Sequence, residues 1–198
     1  MLERLRAHPM IARLTALYIV AWTAIGLTRG SPLAIPYLLE MVALTTLVLV
    51  LDRRRPFSTG ILAGLSLWGF LHMAGGMTPV GDSTLYETWI LPVLRWDQLV
   101  HAVGFGFAGV AVFEVFMPWL VSPPRPAAAA WLAFLGSAAI GAINEAVEFL
   151  ASQLLPFANV GDATNTGLDL IANSVGGAAA AFVSYRRAGS AAGDVSRE

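Results

Sequence analysis

The chain has 198 residues, 57% of them hydrophobic and only 13% charged, with a mean hydropathy of +0.67. A soluble domain carries about 25% charged residues, so this composition excludes a water-soluble fold and defines an integral membrane protein. The formal net charge is −1, every basic residue is arginine and cysteine is absent, which excludes a nucleic-acid surface, disulfides, thiolate metal sites and cysteine nucleophiles.

The N-terminus joins a basic start to an apolar run, the outline of a signal peptide. The run is too long for a signal h-region and lacks a small-residue cleavage site, so an uncleaved first span is expected from Met10 to Thr28. As a helix, a segment of that length rises about 29 Å, enough to cross the hydrocarbon core. A turn at Arg29, Gly30, Ser31 and Pro32 leads to a second span, Leu33 to Leu51, with Pro36 near its start and Glu40 a turn and a half inside. Asp52, three arginines and Pro56 close it. The third span, Thr59 to about Pro79, is glycine-rich and carries His72 before Gly75 and Gly76. Val80 to Pro92 reads as a loop with an interfacial turn around Trp89. The fourth span, Trp96 to Val121, is stopped by the prolines of SPPRP, which cannot continue a helix. The fifth runs from Ala127 to about Leu155. A polar turn, Pro156 to Thr166, offers Asn and Thr as caps for the sixth span, Gly167 to Tyr185, which ends at Arg186 and Arg187.

These elements predict an all-α polytopic membrane helix bundle with six transmembrane helices. Residues 1–187 form a single bundle, and 188–198 a mobile cytoplasmic tail without core-forming residues. Arginines concentrate on one side of the alternating loops, leaving only Arg29 and Arg95 on the other. By the positive-inside rule both termini are cytoplasmic.

This orientation fixes the depth of each ionisable residue. Asp97 and His101, four apart at the outer start of the fourth span, share one helix face. His72 lies near the outer end of the third span, Glu145 and Glu148 at the outer end of the fifth, and Asp169 with Asn173 at the outer start of the sixth. Glu40 falls at a similar depth. Such side chains cost about 2.5–3.5 kcal/mol each at the bilayer centre, so they require polar company, and together they read as one intramembrane site. A structural role accounts for some members: Asp97 and Asp169 sit where a carboxylate gains roughly 0.3–1 kcal/mol from a helix N-terminus. An isolated polar residue often only joins helices, at about 0.6 kcal/mol per pair. Glu145 and Glu148 approach a helix C-terminus, which repels anions, and need a positive partner or a proton; Asn144 shares the face of Glu148. Candidate partners are Arg95, a protonated His101 or His72, and a bound cation. Mixed oxygen and imidazole donors suit zinc, manganese or iron, whereas carboxylates alone suit magnesium or calcium.

Other features are plainer. Trp89 and Trp96 suit an interfacial aromatic belt, and Gly60 with Gly64, like Gly176 with Gly177, suits close helix packing. A G-x-G-x-x-G pattern at Gly104, Gly106 and Gly109 lies inside an apolar helix with no preceding strand, so it is no nucleotide site. Glu114 belongs to a cytoplasmic-side pair or reaches the interface.

The succession LHMAGG, RWDQLVH, NEAVEF and GDATNTGLDLIANSVGG, between Thr59 and Ala181, resembles the YjdF-like bacterial inner-membrane proteins and, more distantly, the VanZ-like proteins. The resemblance implies a multi-spanning protein of the bacterial inner membrane whose activity is largely undefined. The VanZ-like branch is associated with glycopeptide resistance and points to the cell envelope. Carried over by position, the family's polar residues fall on His72, Asp97, His101, Glu145, Glu148, Asp162, Asp169 and Asn173. One departure is Asn165, where the family pattern has an aspartate before the threonine.

Three functions compete. In the first, His101, Glu145, Glu148 and Asp169 hold a divalent cation (zinc, manganese or magnesium) that activates water or polarises a phosphoryl or acyl oxygen; Asp97 orients His101 and Arg95 receives an anionic head group. The enzyme is then a hydrolase or transferase acting on a lipid-linked envelope substrate. In the second, the same groups move protons or a small cation, although no inverted repeat or paired helix break supports transport. In the third, the polar layer only locks a membrane scaffold. Membrane lipids are the expected partners, and no oligomeric interface is readable.

Overall fold

A computed structural model describes residues 7–120, 125–155 and 161–195. Among them six helices are long and apolar enough to cross a membrane: α1 (Pro9–Thr28), α2 (Ala34–Arg54), α3 (Thr59–Met77), α4 (Trp96–Phe116), α5 (Pro126–Leu154) and α6 (Ala163–Val195). The protein is therefore an all-α polytopic membrane protein. The proline stop at 122–124 and the start of the polar turn at 156–160 lie outside the described residues.

The helix limits differ from expectation where local chemistry decides. α4 ends at Phe116 and passes into a short 3-10 turn, Met117–Trp119. Pro118 has no N–H to continue the helical ladder. α6 begins at Ala163, earlier than the expected Gly167, because Asp162 caps it: the Asp162 carboxylate accepts the N–H of Asn165 at 2.9 Å. It continues past Tyr185 through the stretch expected as a tail, and Ala188 is buried at 2% exposure. Alanine is the strongest helix former, and it recurs in this stretch. The loop between α3 and α4 contains two short antiparallel hairpins. In the first, β1 (Pro79–Val80) pairs with β2 (Ser83–Thr84), and the left-handed Gly81 (φ +59°) forms the turn. In the second, β3 (Trp89–Leu91) pairs with β4 (Leu94–Arg95), and a 3-10 turn, Leu85–Glu87, separates the two.

The described residues divide into two compact units, one comprising residues through 100 with 154–155, the other 101–153 and 161–195. In the first, Tyr18, Ile19, Met41 and Met73 form the core, with Trp22, Tyr37 and Leu38 against it. Thr15 and Ser66 join α1 to α3 through their hydroxyls at 2.6 Å.

The second unit is built on small residues. On α5 the buried positions Ala129, Ala133, Ser137, Gly141 and Glu145 repeat every fourth residue, so one narrow stripe of small side chains ends on a glutamate. Gly106 and Gly109, from the glycine-rich pattern in α4, meet α6 and α5: a Cβ on Gly106 would stand 3.4 Å from the Gly176 carbonyl, and one on Gly109 would stand 2.7 Å from that of Ala133. The Ser137 hydroxyl donates to the Phe105 carbonyl at 2.9 Å. Apolar side chains on the opposite face of α5, including Trp131, Leu135, Ile143 and Phe149, are exposed, as lipid contact requires.

Candidate cation site

At the end of the α5 stripe the small residues give way to acids. Glu145 continues the buried face, and Glu148 follows at a spacing of three, so both project toward α4 and α6. α4 contributes His101, 5% exposed, and α6 contributes Asp169, 0% exposed, and Asn173, 2% exposed. One donor atom from each of His101, Glu145, Glu148 and Asp169 lies within 4.8 Å of the others, an arrangement that could hold a metal ion. Donors at about 2.1 Å from an ion stand at most about 4.2 Å apart, so the set lies within a small contraction of coordination geometry.

Neighbouring amides hold two of the carboxylates. Asn144 donates through Nδ2 to Glu148 Oε1 at 2.7 Å, the i, i+4 pairing expected from its position. Asn165 donates through Nδ2 to Asp169 Oδ2 at 2.5 Å. An ionised aspartate at 165 would have no proton to donate and would repel Asp169. Gly161 makes room for it: its backbone is left-handed (φ +78°), and a Cβ there would stand 2.5 Å from the Asn165 Cβ. Asp162, expected within the polar layer, sits at the head of α6 as its cap. With the helix beginning at Ala163, Asp169 lies well past the first turn and is no cap, correcting that reading of its role.

The imidazole of His101 carries the most information. Its Nδ1 stands 3.0 Å from Asn173 Oδ1 and 3.5 Å from Glu145 Oε1, so a proton on Nδ1 would face two acceptor oxygens. Its Nε2 faces Glu148 Oε1 at 3.8 Å. A neutral ring protonated on Nδ1 would aim an Nε2 lone pair at that carboxylate oxygen. A proton on Nε2 or a cation between the two removes the conflict. Three carboxylates also outnumber the single charge that an imidazolium supplies, in surroundings where charge is costly.

The other candidates have surroundings of their own. His72 belongs to the first unit, where Nε2 lies 3.3 Å from Glu40 Oε2 and Nδ1 lies 2.6 Å from the Tyr86 hydroxyl. Asp97 occupies the first turn of α4. The Arg95 guanidinium stacks 4.7 Å from the Trp89 ring centre, and its buried Nε makes no hydrogen bond with any described residue. Trp96 donates to the Leu71 carbonyl at 3.1 Å. Glu114 pairs with Arg187 at 2.5 Å. Sequence reasoning missed Ser137, the hydroxyl that joins α5 to α4. The available signal was its place in the four-residue stripe that leads to Glu145.

Six apolar helices, with acids and a histidine buried among three of them, define a multi-pass membrane protein with an internal polar site. The chain belongs to the family described as "Predicted membrane protein (DUF2238)", which it matches over residues 10–190. No curated protein and no solved structure matches it.

Proposed function

We propose that this protein is a cation-dependent membrane protein in which His101, Glu145, Glu148 and Asp169 bind one divalent ion, with zinc, manganese and magnesium as the candidates. The carrying observation is the convergence of four potential donors from three helices within 4.8 Å, three of them less than one-tenth exposed. An ion there offsets the excess of carboxylates and resolves the lone-pair conflict at His101. Bound to such a set, it activates water or polarises a phosphoryl or acyl oxygen, the chemistry of a hydrolase or transferase. The positive-inside distribution of arginines supports an outer position for the site and a bacterial cytoplasmic-membrane location. The resemblance to YjdF-like and VanZ-like sequences favours a lipid-linked envelope substrate; Arg95, stacked on Trp89 in the first unit, is by itself a candidate receptor for an anionic head group.

The test is elemental analysis of the detergent-purified protein beside folded Glu145→Gln and His101→Ala variants. The expected result is close to one divalent ion per chain, lost in both variants. Absence of bound metal after incubation with zinc, manganese and magnesium refutes the proposal. Proton flux in liposomes that depends on the same residues would then select transport; folded variants indistinguishable from the parent would select a scaffold.

A further inference from the structure

The first unit carries a second arrangement with chemistry of its own. Tyr37 and Glu40, three apart on α2, share one face, and both meet His72 of α3. The Tyr37 ring stacks on the imidazole with centres 4.7 Å apart and planes 15° apart. Tyr86, from the 3-10 turn beyond α3, lies edge-on at 5.9 Å, and Trp68 lies at 6.2 Å one turn earlier on α3. Gly75 and Gly76 follow His72 at spacings of three and four, and they are cut away to admit these rings. A Cβ on Gly75 would stand 2.8 Å from the Tyr86 ring, and one on Gly76 would overlap Tyr37. The glycine pair therefore allows two tyrosines to pack around one histidine.

One neutral tautomer satisfies both contacts. Were Nδ1 of His72 protonated in a neutral ring, Nε2 would turn a lone pair toward the Glu40 carboxylate at 3.3 Å. With the proton on Nε2, the ring donates to Glu40, and its Nδ1 accepts from the Tyr86 hydroxyl at 2.6 Å. The result is a hydroxyl within hydrogen-bond reach of a base that a carboxylate orients in turn, the geometry of an activated nucleophile. The titratable groups facing His72 include Glu40 and Tyr37 from α2 and Tyr86 from the loop. The Glu40 carboxylate is 42% exposed and the His72 side chain 16%.

We propose that Tyr86, His72 and Glu40 form a base-activated tyrosine site that takes the acyl or phosphoryl group of an ester onto the Tyr86 oxygen. In that step the phenolic oxygen forms a bond to the electrophilic carbon or phosphorus, and its proton passes to Nδ1 of His72. Glu40 steadies the resulting imidazolium as a positioning residue. The ester's alkoxide leaves and takes the proton from Nδ1, which restores the neutral ring. This inference uses none of the cation-site residues and stands or falls separately from that reading.

An aryl sulfonyl fluoride probe tests it on the full-length protein in detergent, because phenolic attack at sulfur expels fluoride and leaves a mass-detectable adduct. Tyr185, 50% exposed on α6, serves as the internal reference. Base assistance contributes about 10²–10⁴-fold, so Tyr86 should be labelled at least about tenfold faster than Tyr185 despite its lower exposure. His72→Gln should bring the Tyr86 rate down to that of Tyr185, and Glu40→Gln, which preserves size and can still accept a hydrogen bond, should lower it severalfold. Labelling of Tyr86 no faster than Tyr185 overturns the proposal, as does an unchanged Tyr86 rate in folded Glu40→Gln. The latter comparison remains decisive if His72→Gln fails to fold.

Discussion

Asp169→Asn separates a cation site from a structural polar layer by the sign of its effect. Asp169 is fully buried, and its nearest donor oxygen is no more than 4.8 Å from those of Glu145 and Glu148. Two ionised carboxylates at that distance repel by about 3.5 kcal/mol at an effective dielectric of 20. Asparagine keeps the shape of the side chain and an oxygen to accept from Asn165, so it removes the charge without emptying the site. In chelator, the variant should unfold at the same denaturant concentration as the parent or at a higher one. With cation at a hundred times its dissociation constant, the parent should gain about 2.7 kcal/mol, whereas a variant binding tenfold more weakly should gain only about 1.4 kcal/mol. Unfolding by sodium dodecyl sulfate in mixed micelles, followed by tryptophan fluorescence with and without metal, measures both quantities. If the variant is destabilised equally in chelator and in metal, the carboxylate is a structural contact and the cation argument fails.

Two further outcomes follow from the geometry. Replacing Asn173 by leucine removes the acceptor at His101 Nδ1 and should weaken metal binding by about 10–100-fold, as loss of a ligand's supporting hydrogen bond does; unchanged affinity in a metal titration would deny Asn173 that role. Gly176→Ala introduces a Cβ into the Ala102 carbonyl and should destabilise the protein by about 1–3 kcal/mol, whereas Gly60→Ala meets nothing within 4 Å and should be tolerated, both read by the same unfolding assay.

Sequence alone revealed the six spans because hydrophobic length in a membrane is fixed by the bilayer and leaves little to tertiary context. The grouping of His101, Glu145, Glu148 and Asp169 was legible for a related reason: charge in lipid is costly, so residues at one depth seek one another. The limits of that reasoning appear at Tyr86. A tyrosine in a polar loop carries no depth signal, and only the paired glycines after His72 marked a place where rings approach. Asn165 was similarly opaque, since its value depends on donating to a carboxylate one turn away. The start of α6 was misplaced because hydrophobicity begins at the membrane boundary while the helix begins at its cap. The two compact units left no trace in composition, because the continuous apolar helix α4 runs across the residue at which they divide.

The cap at Asp162 also governs which changes in length the chain can absorb. Asn165, Asp169 and Asn173 recur every four residues from a fixed starting point, so their azimuth around α6 is set by their distance from Asp162. A residue inserted ahead of Gly161 lengthens only the connection and leaves this angular phase intact. The same insertion between Asp162 and Asp169 turns every later side chain by about 100°, carrying Asp169 and Asn173 off the face they share with His101. Length variation among related chains should therefore collect before this aspartate and be absent just after it.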